Sequence, residues 1–213
     1  MSRITSDSGA DFQDTIQNGE IAIFPTDTLY GIACDPDDNE AIERIHELKG
    51  RPPKKPAAVM YFSLERLLGD FGAQFDAPTR TLFEQLLPGP FTLVVANPDH
   101  RFAPSCAGTP DKLGLRVPLL PAATAPLGEV EIPVFQTSAN LSGGPDAASF
   151  DQIDPAIRAG VDLEIDGGTL PGTASTVIDV SEIADGRWRV LRPGREFAVK
   201  ELARLIGFPP SGG

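Results

Sequence analysis

At 213 residues, 41% of them hydrophobic and the apolar segments spread along the whole length, the chain can bury one substantial core in a single domain. The 30 acidic against 18 basic side chains give a formal charge of -12, which repels a phosphate backbone unless cations are gathered in one place. They are partly gathered, at Arg44, Lys49, Arg51, Lys54, Lys55 and Arg66. Residues 1–14 are polar with no apolar signal core, and no stretch approaches the roughly 20 apolar residues of a membrane span. The expectation is a cytoplasmic protein without a membrane partner. Two isolated cysteines, Cys34 and Cys106, form neither a disulfide framework nor a CxxC pair.

In chain order, a helix is predicted over 11–18 and an apolar, β-branched strand over 20–25, followed by a loop. Asp37 and Glu40 form a capping-box pair for the next helix. Ile42, Ile45 and Leu48 repeat along its apolar face, His46 is placed on its polar side, and Gly50-Arg51-Pro52 ends it. Further strands are predicted over 57–62, 91–96, 113–117, 133–137, 162–166, 176–180 and 188–192. Helices are predicted over 64–68, 78–87, 119–128, 149–158 and 196–205. Alternating strands and helices indicate an α/β domain over 1–207, and the close spacing of the last two strands indicates a hairpin and hence a mixed sheet. Residues 208–213 are expected to form a frayed tail.

There is no GxxxxGK loop, GxGxxG, HExxH or GxSxG elbow, and with only His46 and His100 a histidine triad or zinc site is disfavoured. A nucleotide would have to be held by other means. Four segments are candidates, each with a plain structural alternative.

Pro25-Thr26-Asp27-Thr28-Leu29-Tyr30-Gly31 sits at the carboxyl end of a strand, where ligands bind in open α/β sheets; its hydroxyls line a polar pocket or simply shape a turn. Lys49-Gly50-Arg51-Pro52-Pro53-Lys54-Lys55-Pro56 sets cations at and just beyond a helix end on a chain stiffened by three prolines, holding Arg51 at a fixed offset from Lys49, as a phosphate clamp or as partners of the helix dipole. Gln136-Thr137-Ser138-Ala139-Asn140-Leu141-Ser142-Gly143-Gly144 follows another strand with a dense set of donors and acceptors. The fourth comprises Asp166-Gly167-Gly168, residues 173–179, and Arg192-Pro193-Gly194-Arg195, where Arg192 reaches a phosphate or a surface carboxylate.

Together and in this order, with Pro88-Gly89-Pro90-Phe91-Thr92 and Arg116-Val117-Pro118 between them, these segments resemble the YrdC family of threonylcarbamoyl-AMP synthases. The resemblance covers about 19–194. It implies a single-domain twisted mixed sheet with flanking helices and a concave, positively charged cavity. It also implies a nucleotidyltransferase that joins ATP, L-threonine and bicarbonate into threonylcarbamoyl-AMP and pyrophosphate, for threonylcarbamoyladenosine modification of tRNA. Magnesium travels with ATP, no dedicated metal site is implied, and proteins that pass the threonylcarbamoyl group to tRNA follow downstream. By motif, the resemblance implies Lys49 and Arg51 as catalytic cations and Ser138, Asn140, Arg116 and Arg192 for the nucleotide phosphates. Thr26, Tyr30 and Ser175 are implied for threonine.

Met60 stands where many synthases carry a histidine, which leaves open a YciO-like or carbamoyl-adenylate-forming paralogue. The chain ends at Gly213, as in the short form of the family. A noncatalytic module that binds tRNA or double-stranded RNA on the same cationic surface is the alternative from another class.

Overall fold

The computed structural model describes residues 2–50, 57–194 and 199–211. Arg51, Lys54, Lys55 and Arg195 lie outside the described residues. The elements are β1 (Ser2–Arg3), α1 (Ser8–Gln17), β2 (Ala22–Pro25), β3 (Tyr30–Cys34), α2 (Asn39–Leu48), β4 (Ala58–Met60), α3 (Leu64–Phe71) and α4 (Ala77–Leu86). They continue with β5 (Phe91–Ala96), β6 (Lys112–Arg116), β7 (Val134–Ser138), α5 (Pro155–Arg158), β8 (Leu163–Asp166), β9 (Thr176–Glu182), β10 (Arg187–Arg192) and α6 (Val199–Ile206). Among the described residues the strands form one sheet in the order β1-β8-β2-β3-β7-β4-β6-β5-β9-β10. β1 with β8, β8 with β2, β4 with β6 and β5 with β9 run parallel, and the other neighbours are antiparallel, so the sheet is mixed as expected.

Side chains alternate between the two faces of a strand, and here the faces differ in what covers them. On one face, Ile21, Ile23, Tyr30, Ile32 and Phe135 pack under α2, while Leu93, Val95, Leu113, Leu115, Ile178 and Trp188 pack under α3, α4 and Leu202 of α6. The opposite face is covered over only one half. There Phe12 and Ile16 of α1, with Leu127 and Val130, close over Ala22, Phe24, Ala33, Met60 and Val134. Over β6, β5, β9 and β10 no helix among the described residues covers this second face, which becomes a concavity.

Several local expectations are corrected. The stretch after residue 25 is not a loop leading to a helix but a tight turn into β3, which pairs antiparallel with β2 from Ala22↔Ala33 to Pro25↔Tyr30. The cap of α2 is Asp38, whose carboxylate accepts the Ala41 N–H at 3.0 Å, while the Asp37 N–H is taken by Asp35 Oδ1. His46 is buried, with its ring 6.1 Å from that of Phe135, because it falls one turn after Ile42 on the same face. The predicted helix 119–128 is instead a 3-10 run, Ala122–Glu129, with Pro126 inside it, a residue that an α-helix interior disfavours. The predicted helix 149–158 splits where Pro155 begins a new turn capped by Asp154. Finally, residues 208–211 are tied down instead of frayed. The buried Trp188 indole donates to the Phe208 carbonyl at 3.1 Å, and the Ser211 N–H donates to the Trp188 carbonyl at 2.7 Å.

Tyr30 shows how the faces divide labour. Its ring is fully buried against Phe150 on the α2 side of the sheet. Its hydroxyl donates to the Gly168 carbonyl at 2.8 Å and to Asp166 Oδ1 at 3.2 Å, and accepts the Gly167 N–H at 2.9 Å. Burial and the neighbouring Asp166 push the phenol above its ordinary pKa, so it stays neutral. This is a latch between β3 and the chain leaving β8. Tyr30→Phe is expected to lower unfolding stability by about 1–3 kcal/mol, since it strands two backbone groups. Urea denaturation with unchanged ligand affinity is the expected result, and a large loss of affinity at unchanged stability would contradict the latch.

Candidate active site

The concavity on the uncovered half-face is a cavity of about 360 Å³. Its floor and walls follow the period-two rule strand by strand: Thr92 and Val94 from β5, Lys112, Gly114 and Arg116 from β6, Val177 and Asp179 from β9, Arg189 and Leu191 from β10. A register shift between Val190 and Arg192 coincides with the point where Leu191 and Arg192 both line the cavity. Thr28 and Leu29 from the β2–β3 turn, Gln136, Thr137 and Ser138 from β7, and Asp146 and Ser175 complete the polar rim. The described lining carries four cations, Lys112, Arg116, Arg189 and Arg192, against the two carboxylates Asp146 and Asp179. In a chain of charge -12, four of the 18 cations thus gather in one lining.

Each cation is held by a named partner. Arg116 is buried, and its Nη2 donates to Asp27 Oδ1 at 2.5 Å and to Thr28 Oγ1 at 2.7 Å. Its Nε is buried with no hydrogen-bond partner among the described residues. Arg192 donates through Nη2 to the Ser175 carbonyl at 3.0 Å and to Ser175 Oγ at 3.1 Å, and Ser175 Oγ lies 3.1 Å from Thr92 Oγ1. Burial lowers the pKa of Arg192; Asp146 opposes this and the charge of Arg116 adds to it. Two guanidinium groups brought within electrostatic reach of each other favour a ligand that carries negative charge.

The sequence-predicted site residues fall into three groups. Arg116, Ser138, Ser175 and Arg192 converge on the cavity. Lys49 and Asn140 sit together just outside its lining. The buried Lys49 ammonium donates to the Ser138 carbonyl, to the Asn140 carbonyl at 2.7 Å and to Asn140 Oδ1 at 3.3 Å. The Lys49 carbonyl accepts the Ser142 N–H at 2.8 Å, and Asn140 spans the same loop through Ser138 Oγ at 2.6 Å and Gly144 O at 2.8 Å. Lys49 therefore staples the end of α2 to the loop that follows β7. Thr26 and Tyr30 form the third group, outside the lining. Thr26 Oγ1 donates to the Leu29 carbonyl at 2.7 Å and accepts the N–H groups of Thr28 and Leu29, so it builds the turn that presents Thr28. Arg51 is outside the described residues.

Lys112, Arg189 and Asp146 were not anticipated, although the alternation Lys112-Leu113-Gly114-Leu115-Arg116 carries the signal: polar or glycine on one face, leucine on the other. Gly114 lies in the floor, where an added Cβ would meet Thr92 Cγ2 at 3.5 Å, an ordinary contact. Among the described residues no group of three or more His, Cys, Asp or Glu side chains is arranged to hold a metal ion. No helix among them is long and apolar enough to cross a membrane.

These features define a mixed α/β domain with a hollow, lined by four cations and two carboxylates among the described residues, on one half of a sheet face. The family profile described as "Telomere recombination", that of the Sua5, YciO and YrdC proteins, matches residues 14–194, and the chain belongs to this family. It is similar to the threonylcarbamoyl-AMP synthase of Pyrococcus abyssi, with 33% identity over 196 residues that cover 90% of this chain and 55% of that protein. It is also similar to the threonylcarbamoyl-AMP synthase of Xanthomonas axonopodis pv. citri, with 34% identity over 157 residues that cover 72% of this chain and 82% of that protein. The fold matches Pyrococcus abyssi Sua5 complexed with L-threonine at a TM-score of 0.79 and 28% identity, over 98% of this chain and 60% of that one. The chain thus spans little more than half the length of the Pyrococcus relative.

Asp179 offers a direct reading of how the cavity wall is held. Its carboxylate is buried, which alone would raise its pKa. Hydrogen bonds from Lys112 Nζ at 2.8 Å, Ser181 Oγ at 2.6 Å and Arg189 Nη2 at 3.0 Å outweigh burial and hold it at about 2, below the ordinary 3.8. A depressed carboxyl contributes stability that is complete above its unfolded pKa and is lost as pH falls through the folded value. The stability gap between the protein and Asp179→Asn is therefore expected to be widest above roughly pH 5 and to close between roughly pH 4 and pH 2. Denaturant midpoints across that range read it, and a gap independent of pH would count against the assignment.

Proposed function

We propose that the chain makes threonylcarbamoyl-AMP and pyrophosphate from ATP, L-threonine and bicarbonate, as a nucleotidyltransferase serving threonylcarbamoyladenosine modification of tRNA. The observation that carries this reading is the convergence of Arg116, Arg192, Ser138 and Ser175 on one cavity whose volume, about 360 Å³, lies in the ligand-binding range of roughly 300–1,000 Å³. The names of the relatives and the threonine complex of Sua5 supply the substrate class.

In this reading the amine of threonine and bicarbonate give a carbamate with loss of water. A carbamate oxygen then attacks the α-phosphorus of ATP as the bond to the bridging oxygen of pyrophosphate breaks. The demands on the protein are to bring two anions together and to hold positive charge where the phosphoryl oxygens and the leaving group gain negative charge. Arg116 and Arg192 serve the phosphates, with Ser138 from the stapled loop, and Lys49 keeps that loop in place. Arg51 is proposed as a further phosphate clamp by its motif. Thr28 and Ser175 present hydroxyls for the amino acid, and Thr26 contributes by shaping the turn under Thr28. Magnesium belongs to the ATP complex, carried by its phosphates. Direct RNA binding has less support, because the surface cations Arg44, Arg66, Arg80, Arg101 and Arg187 each pair with a carboxylate. The product reaches tRNA through downstream transfer proteins.

Two outcomes test this. Pyrophosphate release from ATP is expected only when threonine and bicarbonate are both present; equal release with carbamoyl phosphate in their place points to a carbamoyl-adenylate former instead. Lys49→Ala is expected to lower kcat by roughly a hundredfold, the scale of losing a group that organises charge stabilisation. Steady-state kinetics with thermal midpoints as a folding control would reveal a milder effect if the loop holds itself.

A further inference from the structure

A sheet that does not close on itself has two outer edges, and each offers a row of unpaired backbone donors and acceptors to another chain. Here the edge strands are β1 and β10. β1 is two residues long, too short to template a partner, whereas β10 runs for six residues, from Arg187 to Arg192. Free charge does not protect it. Arg187 pairs with Glu182 at 3.0 Å and Asp185 at 2.9 Å, and Arg189 pairs with Asp179 at 3.0 Å, so both cations are already engaged within the β9–β10 hairpin. The cover comes from the chain beyond α6. The Gly207 N–H donates to the Ala203 carbonyl at 2.9 Å, and its φ of +91°, in the left-handed region, turns the chain back towards β10. Phe208 packs against the core and accepts the Trp188 indole N–H on its carbonyl at 3.1 Å. Pro209 and Pro210 carry no N–H donor, and the Ser211 N–H donates to the Trp188 carbonyl at 2.7 Å.

We propose that residues 208–211 guard the outer edge of β10, and that the edge, once uncovered, pairs with β10 of a second copy of this chain. The direction of the Trp188 backbone carries the argument. Its carbonyl is taken by Ser211 and so points away from β9. Arg189 and Val190 stay in continuous register with Asp179 and Ile178, so the alternation of the strand turns the Val190 N–H and carbonyl outward as well. A second β10 brings the same outward groups. Two identical edges related by a two-fold axis run antiparallel, which sets each outward N–H against an outward carbonyl, and that self-complementarity favours a second copy over an unrelated strand. The tail does not simply replace one open edge by another, because two of its four residues are prolines. The proposal is independent of what the cavity binds.

The test is the mass in solution, read by sedimentation equilibrium over a wide range of protein concentration, with thermal midpoints as a folding control. The full chain and Ser211→Ala, which keeps the backbone donor, are expected to hold one mass throughout. The chain with residues 208–213 deleted is expected to rise with concentration towards twice that mass. Ser211→Pro loses only the donor and is expected to rise in the same way at higher concentration. Val190→Pro, added to the deletion, removes an outward donor from the free edge and is expected to abolish the rise. A deletion whose mass never changes overturns the proposal, as does a full chain that doubles as readily as the deletion. Association that Val190→Pro leaves intact overturns it in favour of apolar surface uncovered around Trp188, and a mass that climbs past twofold overturns it in favour of unspecific aggregation. If the deletion or its Val190→Pro form fails to fold, Ser211→Pro decides, because it leaves Phe208 in place. Doubling then supports the guarded edge, and a mass equal to that of the full chain at every concentration overturns it.

Discussion

Every residue of β6 is committed to one of two environments, and the site depends on that commitment. Leu113 and Leu115 go into the helix-covered core, so Lys112, Gly114 and Arg116 have nowhere to point but the other face. A shift of one residue in the pairing with β5, set at Leu93↔Leu115 and Val95↔Leu113, would bury the cations and expose the leucines. Hydrophobic burial on one side therefore fixes the positions of charge on the other. The covering elements matter equally. Because α1 and the Ala122–Glu129 turn close only half of that second face, the other half carries the cavity.

The charged groups are organised in the same economical way, each cation oriented by an oxygen supplied from a different part of the chain. Asp27 reaches Arg116 from the first hairpin, Asp179 joins Lys112 to Arg189 across three strands, and the Ser175 carbonyl and hydroxyl meet Arg192. Lys49 works in the reverse direction, spending its ammonium on carbonyl oxygens to shape a loop. Such arrangements lower the reorganisation needed when negative charge builds on a bound molecule, because the donors are in place beforehand. On the proposed reading, an acidic chain would meet an anion through the cations gathered in the hollow and not through the sum over its surface.

Much of this was legible from residue order alone. The strands that became β5, β6, β7, β8, β9 and β10 stand out by their apolar runs, and the last hairpin by its short connection. What escaped were the two-residue β1 and, more consequentially, β3. Tyr30-Gly31-Ile32-Ala33-Cys34 is buried on both faces, so it shows no alternation, and its turn was read as the start of a loop. The segments around Thr28, Ser138, Ser175 and Arg192 reach the cavity, but the sequence does not say which hydroxyl of Thr26, Thr28 and Tyr30 faces it. Hairpin pairing decides that, sending Tyr30 to the α2 side and turning Thr26 inward on its own backbone. Lys112 and Arg189 were missed for the opposite reason. Each looks like an ordinary surface cation until the strands are placed side by side and Asp179 is seen between them.

Gly114 has a consequence of its own. Its backbone is ordinary strand, and a methyl group there would meet the Thr92 methyl at 3.5 Å, the Ala57 carbonyl oxygen at 3.6 Å and Ala58 Cα at 3.7 Å, all normal contact distances. Neither folding nor local conformation therefore requires hydrogen at that carbon; the space it leaves belongs to whatever lies above the strand. Headroom over the midpoint of β6 can accordingly be adjusted one side chain at a time, so the size of the guest is tunable separately from the stability of its host.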